Sequence, residues 1–121
     1  MPRYVVQEHF TDPHHFDVML ERGPALATWS APQPPEAAPE GQEATRIGEH
    51  RMIYLEYEGE IGGGRGRVRI HDRGTYDEDA WNDAEVRVTF SGARLSGRWR
   101  ILALGKGDAR GRPLWRLERL G

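Results

Sequence analysis

Histidines and a carboxylate crowd into one short stretch near the start of this chain, His9-Phe10-Thr11-Asp12-Pro13-His14-His15-Phe16-Asp17. Imidazole nitrogens and a carboxylate oxygen are the ligands that suit manganese, iron or zinc. From His15 to Glu21 the residues alternate in character, which is a strand signal. Alternation puts His15, Asp17, Met19 and Glu21 on one face and Phe16, Val18 and Leu20 on the other. His15 and Asp17 therefore converge on one point, and His9 can return across the Asp12-Pro13 turn as a third ligand. The bland alternative is that His9, His14 and His15 are solvated turn or strand-end residues, and spacing alone does not separate the two readings.

The elements that position these groups read as short strands. Tyr4 to Glu8 delivers His9 at its end, His15 to Glu21 follows, and Ala25 to Ser30 carries Trp29. The stretch Ala31 to Glu43 holds four prolines and no bulky apolar residue, so it reads as a surface loop. Ala44 to Ile47 is a short strand leading to Glu49 and His50, before the apolar and aromatic run Met52 to Tyr57. The glycine-rich run Gly59 to Gly66 lacks the Lys-Ser/Thr of a phosphate loop and reads as a flexible turn. Arg67 to His71 alternates basic and β-branched residues, Thr75 to Asp83 is acidic and irregular, and Glu85 to Phe90, Leu95 to Leu104 and Leu114 to Leu120 are three further strands.

No helix-period segment exceeds two turns. The expected fold is all-β, a small closed or partly closed barrel of about seven or eight mainly antiparallel strands with at most short helices, formed by residues 1–121 as one domain. Trp29, Trp99 and Trp115 are expected as core or half-buried barrel residues and not as base-stacking platforms.

The 121 residues include no cysteine, which excludes a disulfide framework, a thiolate metal site and a cysteine nucleophile. No run approaches a membrane span and the N-terminus lacks a signal-peptide pattern, so a soluble, cytoplasmic protein is expected. The net charge of −2 hides an asymmetry. Residues 1–60 carry 4 Arg against 11 acidic groups, and residues 61–121 carry 13 Lys and Arg against 8. A basic surface on the second half could follow a phosphate backbone, although alternating charges on the wet faces of a barrel would give the same count.

Gln7-Glu8-His9, His15 to Glu21 (HFDVMLE), Trp29 to Pro32 (WSAP), Glu49-His50 with Tyr54, Tyr57 to Ile61 (YEGEI), His71 to Tyr76 (HDRGTY) and Leu95 to Trp99 occur in that order. This ordered set resembles the 3′-phosphoesterase domain of bacterial DNA ligase D, over nearly the whole chain. The resemblance implies a β-barrel and a manganese-dependent phosphoesterase of end-joining repair, which removes a terminal ribonucleotide and then a 3′-phosphate from DNA ends. It implies metal ligands at His9, His15 and Asp17, with Zn2+ or Co2+ as alternatives to Mn2+, and phosphate-directed roles for His50 and Tyr54. Its implied partners are DNA 3′ ends carrying a ribonucleotide or phosphate and an end-joining ligase or polymerase; no membrane is expected, and a free-standing monomer is.

The chain departs from the family pattern at Met19, where an arginine is usual on the strand face of the metal aspartate, and at Glu8 and Gln33, where lysines are usual. A missing guanidinium removes one or two charge-assisted hydrogen bonds of roughly 1.5–3 kcal/mol each. Arg46, Arg67 and Arg69 are the expected substitutes in phosphate binding. Two other readings follow from Met19: a catalytically degenerate binding module for DNA ends or repair proteins, and a hydrolase of a small phosphoester.

Overall fold

The computed structural model describes residues 1–121. Nine strands form one sheet: β1 (Arg3–Phe10), β2 (His15–Arg22), β3 (Ala25–Ala31), β4 (Gln42–Arg51), β5 (Gly59–Glu60), β6 (Arg67–Trp81), β7 (Glu85–Gly92), β8 (Ser96–Gly107) and β9 (Pro113–Arg119). They neighbour one another in the order β1-β2-β3-β4-β9-β8-β7-β6-β5, and β1 also pairs with β6. That pairing closes eight strands into an antiparallel barrel, with the two-residue β5 attached to β6. Closure removes the unpaired edges that so many short strands would otherwise expose. The expected all-β barrel is what the chain forms.

Alternation along each strand sends one set of side chains into the barrel. Tyr4, Val6, Phe16, Val18, Leu20, Trp29, Tyr76, Phe90, Trp99 and Trp115 are among the 18 buried residues of the interior. A buried carboxylate staples this core. Asp72 accepts from the Tyr4 hydroxyl at 2.6 Å and from the backbone of Leu95 and Arg94 at 2.9 and 3.1 Å. It thereby links β1 and β6 to the β7–β8 turn, and every one of these bonds is charge-assisted.

The opposite face of β1 and β2 lies outside the barrel and is roofed. A 3-10 turn, Met52–Leu55, lays Leu55 on Val5, Met19 and Leu26, with Met52, Tyr54 and Ile70 around them. Each such aliphatic side chain contributes about 1.5–3 kcal/mol when fully buried, so this second, smaller core holds the roof against the barrel wall.

Three segments differ from the sequence expectation; in the first, β4 runs on past Ile47 to Arg51, so that Glu49 and His50 lie within the strand. Thr75 to Asp83 is strand, not irregular, as far as Trp81: β6 continues alongside β7, with Tyr76 buried and Asp77, Glu78 and Asp79 in solvent. A register shift between Glu78 and Ala80 breaks the two-residue period there, which hides the strand. The connection from Ala31 to Glu43 is shorter than its composition suggests, because β3 ends at Ala31 and β4 begins at Gln42. It is also tied down. Pro35 and Ala38 are buried, Gln42 bonds both backbone groups of Gln33, and Glu36 meets His71 at 2.5 Å.

Candidate metal centre

His9 and His15 face each other across the β1–β2 ladder as the last paired rung before the turn, and Gln7 pairs with Asp17 one step back on the same face. The antiparallel pairing thus stacks His9, His15, Asp17 and Gln7 on the outer, roofed face. Nδ1 of His9 lies 3.1 Å from Nε2 of His15 and 3.8 Å from Oδ2 of Asp17, and His15 Nε2 lies 3.3 Å from Oδ1 of Asp17. One ligand atom from each residue falls within 4.8 Å of the others.

The remaining ring nitrogens define the tautomers. His9 Nε2 sits 2.7 Å from the carbonyl oxygen of Arg65, and His15 Nδ1 sits 2.9 Å from that of Pro13. A carbonyl only accepts, so both rings donate outward, leaving lone pairs on the two nitrogens that face each other. Two lone pairs beside a carboxylate require something positive between them. Oδ1 of Asp17 is moreover buried with no aligned donor. Such an arrangement, two imidazoles oriented from behind by carbonyls together with an unpartnered carboxylate oxygen, fits a divalent cation.

The electrostatics around Asp17 and His15 agree. Burial pushes Asp17 up, but the combined pull of His15, His9 and His50 outweighs it and holds the carboxyl below the usual aspartate range. Burial likewise pulls His15 down, and the adjacent Asp17 carboxylate outweighs that and raises it.

His50 and Tyr54 stand over this triad. Both line a cavity of about 180 Å³ with Gln7, His9, His15 and Asp17. The two rings meet edge to face at 5.7 Å, and His50 Nδ1 lies 3.0 Å from the carbonyl oxygen of Gly48, which leaves its Nε2 as the free nitrogen. A bulge brings His50 there. Opposite Leu26 and Thr28 of β3, β4 offers His50 and Ile47, three residues apart, so the strand holds one residue too many and both line the cavity.

The basic residues expected to meet a phosphate lie elsewhere. Arg46 stacks over Trp29 at 4.4 Å, Arg67 over Phe10 at 4.1 Å, and Arg69 pairs with Glu8 at 2.6 Å; none of the three lines the cavity. Met19 is buried among Val5, Leu26 and Leu55 beneath the roof and does not line it either. The basic residue that does line it is Arg65, whose carbonyl orients His9 and whose Nε turns back to donate to the Gly62 carbonyl. Nothing in the glycine-rich run signals this, because its path back over His9 depends on the β5–β6 pairing. Gln7 is the second site residue to which the sequence assigns no role, although it opens the Gln7-Glu8-His9 motif. Its amide donates to the carbonyls of Tyr54 and Tyr57 at 2.9 and 3.0 Å, fastening the roof to β1. A polar residue two before His9, on the same strand face, is the signal that could have found it. His14 points away from the triad, bonds Glu8 at 2.8 Å and stacks on Phe10.

Residues 7–103 match the family described as the DNA Ligase D 3′-phosphoesterase domain. Among curated relatives, the multifunctional non-homologous end joining protein LigD of Mycobacterium bovis is 35% identical over 107 residues, covering 82% of this chain and 14% of that protein. The multifunctional non-homologous end joining DNA repair protein LigD of Mycobacterium tuberculosis H37Rv is 34% identical over the same shares. LigD of Mycolicibacterium smegmatis is 28% identical over 115 residues, 83% of this chain and 15% of its own. The chain therefore spans only a small part of the length of the relatives it matches. With the barrel and most of the chain matched, the protein belongs to the DNA ligase D 3′-phosphoesterase domain family.

Proposed function

We propose that this domain is a divalent-metal-dependent phosphoesterase that processes DNA 3′ ends in non-homologous end joining, removing a terminal ribonucleotide or 3′-phosphate. The observation that carries the reading is the pair of imidazole lone pairs aimed at one another beside Asp17, a donor set that fits Mn2+, with Zn2+ or Co2+ as alternatives. Family membership supports the DNA-end substrate.

His9, His15 and Asp17 would hold the ion, which would supply Lewis-acid polarisation of a phosphoryl oxygen. The chain's own groups do the rest. His50, its Nδ1–H fixed on Gly48, presents Nε2 to hold or pass a proton at an oxygen of the scissile phosphoester. Tyr54, on the same cavity wall, offers its hydroxyl as a donor to another phosphoryl oxygen.

Turnover of a primer-template ending in one 3′ ribonucleotide or a 3′-phosphate, with and without manganese, tests this reading. Metal-dependent trimming that His50→Ala slows by at least about 10²-fold is the expected result. The buried Met19 favours a second reading, a module that binds DNA ends without cutting them, and metal-replete protein that binds the ends and leaves them intact would select it.

A further inference from the structure

A larger cavity, about 560 Å³, opens beside the candidate metal centre and shares His15 and Ile47 with it. Ser30 and Thr45, directly opposed across β3 and β4, supply hydroxyls to its floor. His14 and the turn before it form one wall, and Arg110 and Arg112 of the β8–β9 hairpin form the other. Asp12 is the single carboxylate in the lining.

The hairpin is built to present its arginines. Oδ1 of Asp108 accepts the backbone N–H groups of Arg110 and Arg112, each at 2.9 Å, and Oδ2 takes Nε of Arg112 at 2.9 Å. Only Nε of Arg112 is engaged, so its two terminal nitrogens remain available, and the Arg110 guanidinium makes no ion pair. Preorganised donors of this kind lose little freedom when they grip an anion. The loop lies beyond the family match, which ends at residue 103.

From this juxtaposition we infer that the groove between His14 and the Arg110–Arg112 hairpin binds the nucleic-acid strand whose 3′ end reaches His15, with the two arginines on its phosphodiesters. The inference rests on the phosphoesterase reading above and extends it by assigning the strand a track. A cleft of about 560 Å³ with two arginines in its lining, sharing His15 and Ile47 with the metal centre, suits a polynucleotide better than an isolated small phosphoester. It also places the positive charge missing from the Met19 face one step outside the reacting centre.

Fluorescence anisotropy with a labelled single-stranded oligodeoxynucleotide bearing a 3′-phosphate, titrated at several salt concentrations, tests the inference. Arg110→Ala, whose side chain is bonded to nothing else in the protein, and Arg110→Ala combined with Arg112→Ala are compared with Arg98→Ala on the barrel wall. The double variant should bind about tenfold more weakly at low salt. Its log–log salt slope should fall by about 0.7 for each phosphate no longer neutralised, with half of that change in the single variant and none in Arg98→Ala. Unchanged slopes in both hairpin variants, or an equal fall in Arg98→Ala, would overturn the groove and leave the phosphoesterase reading standing. Wild-type protein that binds no oligonucleotide would overturn both.

Discussion

His9 Nδ1 and His15 Nε2 stand 3.1 Å apart while the other nitrogen of each ring is spent on a backbone carbonyl. Neither neutral ring can donate to the other in that state, so the gap between them belongs to a cation. When no metal is present a proton is the cation available, and Asp17 favours it by raising His15.

Proton competition sets the first prediction. His15 titrates above its ordinary 6.5 and Asp17 below its ordinary 3.8. In metal-free protein the stabilisation from His15 is full below 6.5 and is lost as pH rises through the raised value. That from Asp17 is present above 3.8 and is lost as pH falls through the depressed one. Manganese should reverse the alkaline loss, since its binding displaces about one proton and its apparent affinity rises about tenfold per pH unit below the His15 value. Thermal unfolding across this range, with and without manganese, checks it; a metal-induced gain that shrinks with rising pH would contradict it.

Fastening of the roof gives the second. Gln7→Leu removes the amide shared by the Tyr54 and Tyr57 carbonyls and leaves both without a donor beneath the roof. A loss of about 1–3 kcal/mol is expected. It should appear as faster amide exchange over residues 52–58 and a lower turnover, with manganese affinity unchanged. Equal loosening of the distant β7–β8 hairpin would show that Gln7 acts on the whole barrel instead.

The apolar cluster under the roof gives the third. Met19→Ala should destabilise by about 2–5 kcal/mol, whereas Met19→Leu should cost less than about 1.5 kcal/mol. Chemical denaturation measures both. Near-neutral behaviour of Met19→Ala would mean that the roof collapses into the space or does not rest on it.

Much of this is legible along the chain. Alternation in His15 to Glu21 places His15 and Asp17 on one face, and the short turn returns His9 to them. The same alternation puts Phe16, Val18 and Leu20 in the barrel core. Register irregularities hide the rest. Ile47 and His50 share a cavity only because β4 carries a bulge, and β6 reaches Trp81 only through a shift after Glu78. Arg46, Arg67 and Arg69 stand out by charge, yet two of them stack on aromatic rings and the third pairs with Glu8. Arg65 enters the cavity by a tertiary route that no local pattern encodes.

His50 carries the fourth prediction. Because its Nδ1 is held by Gly48 and no carboxylate pairs with it, its contribution is expected in proton transfer and not in holding the ion. His50→Ala should lower kcat by about 10²–10⁴-fold and leave manganese binding intact. Loss of metal binding in that variant would place His50 among the ligands.

The most direct test of a metal-dependent phosphoesterase at this site is release of phosphate from a DNA 3′-phosphate end by native protein and Asp17→Asn, measured across a manganese titration. Asp17→Asn keeps the shape of the side chain and removes the charge beside the two lone pairs. Release by the native protein should depend on manganese, with Asp17→Asn needing far more metal and turning over at least about 10²-fold more slowly. Equal rates in the two proteins, or release indifferent to manganese, would contradict the assignment of His9, His15 and Asp17 as the metal centre.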